Sequence, residues 1–269
     1  MNDPGEFEYA RNLIFETLNQ IGNRQDLPPV VYSLTTYAYK NLDKFLNDSA
    51  EMSSAYCACL TVASDQPKQW ETYAENGKGF ALGINLLNLL NNQRHAVGSG
   101  KPFVFCAPVT YNEADQRDLV LRLVGAGLRD IQAFSDKCSQ RPEDLTKIRN
   151  RVTQEIVVQL FSLIDFMKAP SFSSEQEFRL ILDTNDGTLR ARNVQHYKSG
   201  EEIIFFVFID LIDPNTKRLP LAEIKVGPTA SFEEENPFLE KLLDELGYGC
   251  TYSDRPAIIQ SLAAIRRGL

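Results

Sequence analysis

Histidine and long apolar runs are both scarce in this 269-residue chain. The only two histidines, His95 and His196, cannot form the His-x-x-x-His zinc helix, and no nucleophile elbow accompanies them for a Ser-His-Asp triad. No apolar run approaches the roughly 20 residues that cross a bilayer, and Met1 to Glu6 lack a secretion signal's basic start. We therefore expect a cytoplasmic protein without a membrane partner.

The cysteines are scattered along the chain rather than clustered. Lysine and arginine together are fewer than aspartate and glutamate. Without a secretion signal, the five cysteines are expected to be reduced thiols. Cys57 and Cys59 are too close in sequence for a zinc knuckle and lack a downstream ligand pair, so no metal site is predicted. The net charge of −8 opposes generic binding of nucleic acid, which depends on many Lys and Arg contacts.

The spacing of apolar residues predicts a mixed α+β protein. Strands and helices follow one another without regular alternation or repeats, which argues against a doubly wound sheet. We predict a single α+β domain over residues 1–269 with a helical insertion at about 113–168. The predicted helices are 4–19, 34–45, 113–137, 142–167, 237–246 and 257–267, and the predicted strands are 55–62, 80–84, 103–111, 177–183, 203–210 and 221–226.

The sharpest candidate for chemistry is Glu175-Gln176-Glu177-Phe178-Arg179, at the entrance to an apolar strand. Because strand side chains alternate, Glu175, Glu177 and Arg179 would line one face, provided the strand begins early enough. One carboxylate could hold a ribose hydroxyl while the other orients or deprotonates an attacking group. The alternative is a solvated strand edge in which Arg179 neutralises one glutamate. The opposite face, directed to the core, would carry Phe178, Leu180 and Leu182.

A second candidate contains aromatic residues followed by glycines. Trp70 and Tyr73 would share one face of a helical turn and offer rigid surface to a planar ring. Gly77 and Gly79 would let the backbone approach a ligand closely. The alternative is that the two aromatic side chains simply pack in the core.

The order of the motifs resembles a widespread bacterial domain family of unknown function with an ADP-ribosyltransferase-like core. Nearly the whole chain takes part in this resemblance, although no single motif is specific. The motifs, in order, are Asn2-Asp3-Pro4-Gly5-Glu6-Phe7, Cys57 to Thr61, Trp70-x-x-Tyr73-Ala74 with Gly77 and Gly79, Glu175-x-Glu177-x-Arg179, Glu223-Ile224-x-Val226-Gly227-Pro228, and Gly247-Tyr248 with Ser253 before Pro256.

The resemblance implies a mainly antiparallel sheet core and an NAD-dependent ADP-ribosyltransferase of bacterial toxin or phage-defence type, acting on an unknown acceptor macromolecule. Glu177 would be the catalytic glutamate and Glu175 its partner. NAD would be a co-substrate, with Thr61 supporting its pocket and Trp70 and Tyr73 walling the nicotinamide. Gly79 and Arg179 complete the implied cofactor-binding residues.

Family members carry a segment resembling Tyr-His-Tyr-Thr before the Asn-Asp motif, whereas this chain starts at that motif. Two alternatives to the transferase are open, and this departure is the feature that would favour the first of them. One is a noncatalytic module that binds a protein or a nucleotide through the same cleft. The other is a hydrolase of a glycosidic or nucleotide bond that uses the two glutamates.

Overall fold

A computed structural model describes residues 4–24, 26, 29–49, 55–89, 91, 104–137, 142–183, 194–199, 202–207, 211–213, 215–249 and 255–264. The chain divides into two compact units, each built from two stretches. The first unit contains Met1–Leu60 and Phe105–Arg190, and the second contains Thr61–Val104 and Ala191–Leu269. The prediction of one domain over residues 1–269 stays a prediction.

The main elements combine helices with short strands, so the expected mixed α+β character is confirmed. In chain order they are α1 (Pro4–Gly22), α2 (Pro29–Ser49), β1 (Ala55–Thr61), α3 (Pro67–Tyr73), β2 (Phe80–Ile84), β3 (Val104–Pro108), α4 (Glu113–Lys137), α5 (Pro142–Ile164), a 3₁₀ helix (Pro170–Glu175), β4 (Glu177–Asp183), β5 (Val194–Ser199), β6 (Glu202–Val207), β7 (Leu221–Val226), α6 (Phe232–Glu245) and β8 (Ala257–Gln260).

Four helices of the first unit share one apolar core. Apolar residues at intervals of three and four place a continuous stripe on one face of each helix, and the stripes of α1, α2, α4 and α5 meet. The predicted helical pair is thereby confirmed as α4 and α5. Buried residues of this core include Ala10, Ile14, Leu18, Leu34, Ala38, Leu42, Val120, Val124, Ile156, Leu160 and Ile164.

The sheet of the first unit has the order β1-β4-β3, so β4 is the central strand. Its apolar residues Phe178, Leu180 and Leu182 are buried, as the alternation predicts. Beyond β3, the Val109 amide donates to the Glu177 carbonyl at 3.0 Å. The Lys168 amide donates to the Thr110 carbonyl at 3.2 Å, which fixes the segment after α5 beside the start of β4.

The second unit contains a mixed sheet and a two-stranded ribbon. Strand β7 pairs antiparallel with β2 and parallel with β8. Helix α6 packs Leu239 and Leu243 against Ile224 and Val226 of β7. Strands β5 and β6 form the separate antiparallel pair.

Several predicted elements differ from those observed; for example, α5 ends at Ile164 and β3 ends at Pro108, before the predicted 167 and 111. The predicted helix at 257–267 is wrong, because Ala257–Gln260 is strand β8, bonded to β7 some thirty residues earlier in the chain. Helix α6 begins at Phe232 and includes Pro237, where the prediction began. The predicted strand 203–210 corresponds to β6 (Glu202–Val207), and its residues 208–210 lie outside the described residues.

None of the helices in the described part of the chain combines the length and the apolar character that a bilayer crossing requires.

Candidate functional site

Five charged residues of the first unit meet at the start of β4, and we call them the charge cluster: Glu6, Lys168, Glu175, Glu177 and Arg179. Lys168 lies at the centre of the three carboxylates. Its Nζ is 2.6 Å from Glu6 Oε1, 2.5 Å from Glu175 Oε2 and 3.2 Å from Glu177 Oε1. An ammonium group has three donors, so these contacts use all of them.

Arg179 supplies the second cation of the charge cluster. Its Nε donates to Glu177 Oε2 at 2.9 Å, and its Nη2 donates to Glu6 Oε2 at 2.8 Å. Its Nη1 donates to the Asp165 carbonyl at 2.8 Å. The guanidinium therefore joins α1, the end of α5 and β4 through directional bonds.

The position of Lys168 is fixed by a chain of polar contacts from the helices. Gln116 on α4 donates through Nε2 to the Lys168 carbonyl at 2.9 Å, while Tyr9 on α1 donates its hydroxyl to Gln116 Oε1 at 2.8 Å. Gln116 is fully buried. A buried amide with these partners leaves the Lys168 backbone little freedom.

A turn at Gln176 separates the two candidate glutamates, and both of their carboxylates contact Lys168. Glu175 is the last residue of the 3₁₀ helix, and Gln176 adopts a left-handed conformation with φ of 45° before β4 begins at Glu177. A non-glycine residue in this region is strained by about 1 kcal/mol, so surrounding contacts must maintain it. The Glu177 amide is one such contact, because it donates to the Tyr111 hydroxyl at 2.9 Å.

The cations of the charge cluster lie deeper than the two candidate glutamates. The side chains of Arg179 and Lys168 are 5% and 7% exposed, compared with 14% for Glu177 and 24% for Glu175. The cluster has three carboxylates and two cations, so its formal charge is negative. Its outer side presents acceptors, and we expect it to attract hydroxyl groups or positive charge rather than phosphate.

Burial and ion pairing shift the pKa values of these side chains in opposite directions. Burial lowers the pKa of Lys168 and of Arg179, but their carboxylate partners outweigh it and hold each pKa above its ordinary value. Burial raises the pKa of Glu6, yet hydrogen bonds from Lys168 and Arg179 hold that pKa below its ordinary value of 4.5. Both cations therefore stay charged at neutral pH.

Glu177 retains capacity for a further partner. Lys168 Nζ and the Nε and Nη2 of Arg179 lie within 3.2 Å of its two oxygens. A carboxylate offers about four acceptor positions, so the hydrogen bonds from Lys168 Nζ and Arg179 Nε leave capacity for a hydroxyl. Phe172 adds an apolar neighbour, with its ring 4.8 Å from Lys168 Nζ.

The predicted aromatic wall does not form as one surface. Trp70 is 4% exposed and donates through Nε1 to Asp65 Oδ1 at 2.8 Å, whereas Tyr73 is 82% exposed. Both residues and Thr61 belong to the second unit, while Glu175, Glu177 and Arg179 belong to the first. Thr61 accepts the Ala63 amide on its hydroxyl at 3.0 Å.

Gly79 takes part in a close approach of two backbone segments within the second unit. The Gly227 amide donates to the Gly79 carbonyl at 2.9 Å. A Cβ at Gly227 would lie only 2.2 Å from the Gly77 carbonyl oxygen. The glycines at this turn thus accommodate another part of the chain, and a ligand contact by Gly79 stays a prediction.

Glu6 and Lys168 are the members of the charge cluster that sequence reasoning missed as site residues. Glu6 lies in the Asn-Asp motif, but its place in the first turn of α1 explains it equally well as a helix-start residue. Lys168 follows the apolar end of α5, where a lone lysine carries no motif. Only its position in that motif could have singled out Glu6.

Comparison with known proteins gives a family match, and it covers part of the chain. Residues 69–180 match a family described as a protein of unknown function (DUF2971). The expected resemblance to a domain of unknown function is therefore supported over this stretch, which contains every member of the charge cluster except Glu6. No curated protein and no solved structure matches the chain.

Among the residues described by the structure, no group of three or more His, Cys, Asp or Glu side chains is placed to hold a metal ion.

Proposed function

We propose that the chain cleaves the N-glycosidic bond of NAD and transfers ADP-ribose to an acceptor, with Glu177 as its catalytic residue. The observation that supports this most directly is that Glu175 and Glu177 share the Lys168 ammonium at the outer side of the charge cluster. Two neighbouring carboxylates held by one cation are suited to a sugar centre that becomes positive.

The chemistry follows from the charge of the substrate and of its transition state. When the bond from ribose C1′ to nicotinamide breaks, nicotinamide takes both bonding electrons and leaves neutral, and the ribose becomes oxocarbenium-like. Glu177 would accept a ribose hydroxyl bond and stabilise this positive charge. Glu175 would take the proton of the acceptor as the acceptor's lone pair forms the new bond to C1′.

Lys168 and Arg179 act as positioning residues in this proposal. They hold the two carboxylates in position before the substrate arrives, so little reorganisation accompanies charge development. The likeness to an ADP-ribosyltransferase core remains part of the proposal, and it rests on the ordered motifs rather than on a structural match.

Hydrolysis is a second candidate function, favoured by the separation of the two carboxylates. Their oxygens lie 2.5 and 3.2 Å from the same ammonium nitrogen. These two oxygens therefore cannot be more than about 6 Å apart, which is compatible with the roughly 5–5.5 Å separation in retaining glycosidases and lies below the inverting range. Water would then replace the macromolecular acceptor.

Calorimetric titration with NAD, combined with chromatographic assay of released nicotinamide, tests the proposal. Glu177→Gln keeps the shape of the side chain and removes its charge, and we expect it to slow nicotinamide release at least about 100-fold. Exposed Glu8 on α1 provides the matched control, Glu8→Gln, which should match the wild type. Circular dichroism establishes that each variant is folded.

The products distinguish the alternatives. Adenine-labelled NAD that transfers label to protein supports the transferase, and free labelled ADP-ribose supports the hydrolase. NAD binding without nicotinamide release in the wild type would favour a noncatalytic nucleotide-binding module. Absence of both binding and release would overturn the NAD proposal.

A further inference from the structure

Two thiols of the first unit face each other on the outer strand of the β1-β4-β3 order. Cys57 and Cys59 are two residues apart on β1, and their side chains therefore lie on one face. Their Sγ atoms are 3.7 Å apart, and both residues are exposed. Solvent can therefore reach a pair of sulfurs that are already in contact.

The contact makes the two thiols chemically unequal. The hydrogen bond with Cys57 lowers the pKa of Cys59 to about 7, although partial desolvation of the thiol and the charge of Glu177 oppose the shift. The same bond and burial raise the pKa of Cys57. The lower pKa favours Cys59 as the attacking thiolate of the pair.

We propose that Cys59 is a site of reversible oxidation by peroxides and that Cys57 is its resolving thiol. The exposed position and the 3.7 Å separation carry the proposal. Exposure beside a second cysteine is the usual setting of a redox-sensitive thiol. The proposal does not depend on NAD chemistry.

The oxidation proceeds in two balanced steps. The Cys59 thiolate attacks one oxygen of hydrogen peroxide, the O–O bond breaks, and the second oxygen leaves as hydroxide, which a proton converts to water. Cys59 is then a sulfenic acid. The Cys57 sulfur attacks Cys59 Sγ, an S–S bond forms, and the sulfenic oxygen leaves as water with the thiol proton.

A disulfide at this position should be easily reduced. Residues two apart on an extended strand have Cα atoms about 6.6 Å apart, near the upper limit of about 6.8 Å for a disulfide. A bend at Ala58 would bring the two Cα atoms nearer to the usual separation of about 5.5–6 Å. The terminal place of β1 in the sheet order makes such a bend less costly than in β4, and strained disulfides are readily reduced.

A zinc ion is the competing explanation for two sulfurs at this distance. Two thiolates on tetrahedral zinc, with bonds of about 2.3 Å, are about 3.8 Å apart. In the described residues, however, no third His, Cys, Asp or Glu joins Cys57 and Cys59 as a ligand group. We therefore assign the pair to oxidation, and zinc binding becomes an outcome of the test.

The test treats the reduced full chain with one equivalent of hydrogen peroxide and follows its peptides by mass spectrometry, with dimedone to trap sulfenic acid. We expect the wild-type peptide with both cysteines to lose two hydrogens and to regain them with dithiothreitol. Cys57→Ser should accumulate dimedone-labelled Cys59. Cys59→Ser should react about tenfold more slowly at neutral pH, because little of an ordinary thiol is ionised.

Cys106→Ser is the matched control, since Cys106 lies on β3, and it should react at the wild-type rate. Equal oxidation of all cysteines in the wild type, or unchanged reactivity in Cys59→Ser, would contradict the proposal. One equivalent of zinc that survives desalting and blocks oxidation would also overturn it, since the pair would then be a metal site. Circular dichroism before treatment confirms that each variant is folded.

Discussion

Arg179 binds the carboxylate of Glu177 from two residues further along the same strand. Its Nε and Nη2 lie 2.9 and 2.8 Å from Glu177 Oε2. Strand alternation directs both side chains to one face, so the pair is formed largely by local geometry. The bond from the same guanidinium to Glu6 is tertiary, and it ties α1 to β4.

Removal of the central cation should destabilise the first unit strongly. Lys168→Met leaves three neighbouring carboxylates with only Arg179, and loss of one partner of a buried ion pair typically costs about 3 kcal/mol or more. Urea unfolding measures the change. Lys147→Met on the exposed side of α5 is the control, with an expected change below about 0.5 kcal/mol. Equal effects of both substitutions would show that the cluster contributes no special stability.

Acid should weaken the contribution of Glu6 to the free energy of unfolding. Because its pKa in the folded protein is below the ordinary value of 4.5, its stabilising effect is present above that pH and is lost as the pH falls further. The difference in unfolding free energy between the wild type and Glu6→Gln should therefore shrink below pH 4.5. Urea unfolding at a series of pH values measures it.

Exposed Glu8 on α1 supplies the control for this pH dependence. Glu8→Gln should differ little from the wild type at each pH, since its side chain is exposed. A difference for Glu6→Gln that stays constant from neutral to acid pH would contradict the proposed linkage.

A methyl group at Gly227 should disrupt the second unit. In Gly227→Ala the new Cβ would lie 2.2 Å from the Gly77 carbonyl oxygen, so two backbone segments must separate and their hydrogen bond weakens. We expect a loss of about 2 kcal/mol or more in thermal or urea unfolding. Gly125→Ala on α4 has room for its methyl and should be neutral or stabilising by up to about 1 kcal/mol. Similar stability of the two variants would refute the steric argument.

Asp65 should control the environment of the only tryptophan. Burial raises the pKa of Asp65, but hydrogen bonds from Ser261, Trp70 and the Leu262 amide keep it below its ordinary value. Asp65→Ala removes all three bonds, so the indole should loosen and its emission should move to longer wavelength. We expect a stability loss of about 2 kcal/mol or more. Exposed Glu71 gives the control Glu71→Ala, and unchanged emission in Asp65→Ala would rule out this role.

Part of the candidate site could be predicted from local sequence alone. Phe178, Leu180 and Leu182 recur at every second position, which predicted β4 and placed Glu177 and Arg179 together on its other face. The convergence of Glu6 and Lys168 could not be predicted in this way, because they approach β4 from the start of α1 and from beyond α5. Helical spacing likewise could not foretell that Trp70 is buried while Tyr73 is exposed.

The sequence by itself determined the long helices and the apolar strands, because their repeats of three to four or two residues reflect local backbone geometry. Tertiary structure alone decided that Ala257–Gln260 is a strand, since its hydrogen-bond partner is the distant strand β7. It also decided that Lys168 contacts three carboxylates at once. Such contacts join residues far apart in the chain, and the free energy of burying their charges depends on all the partners being present together.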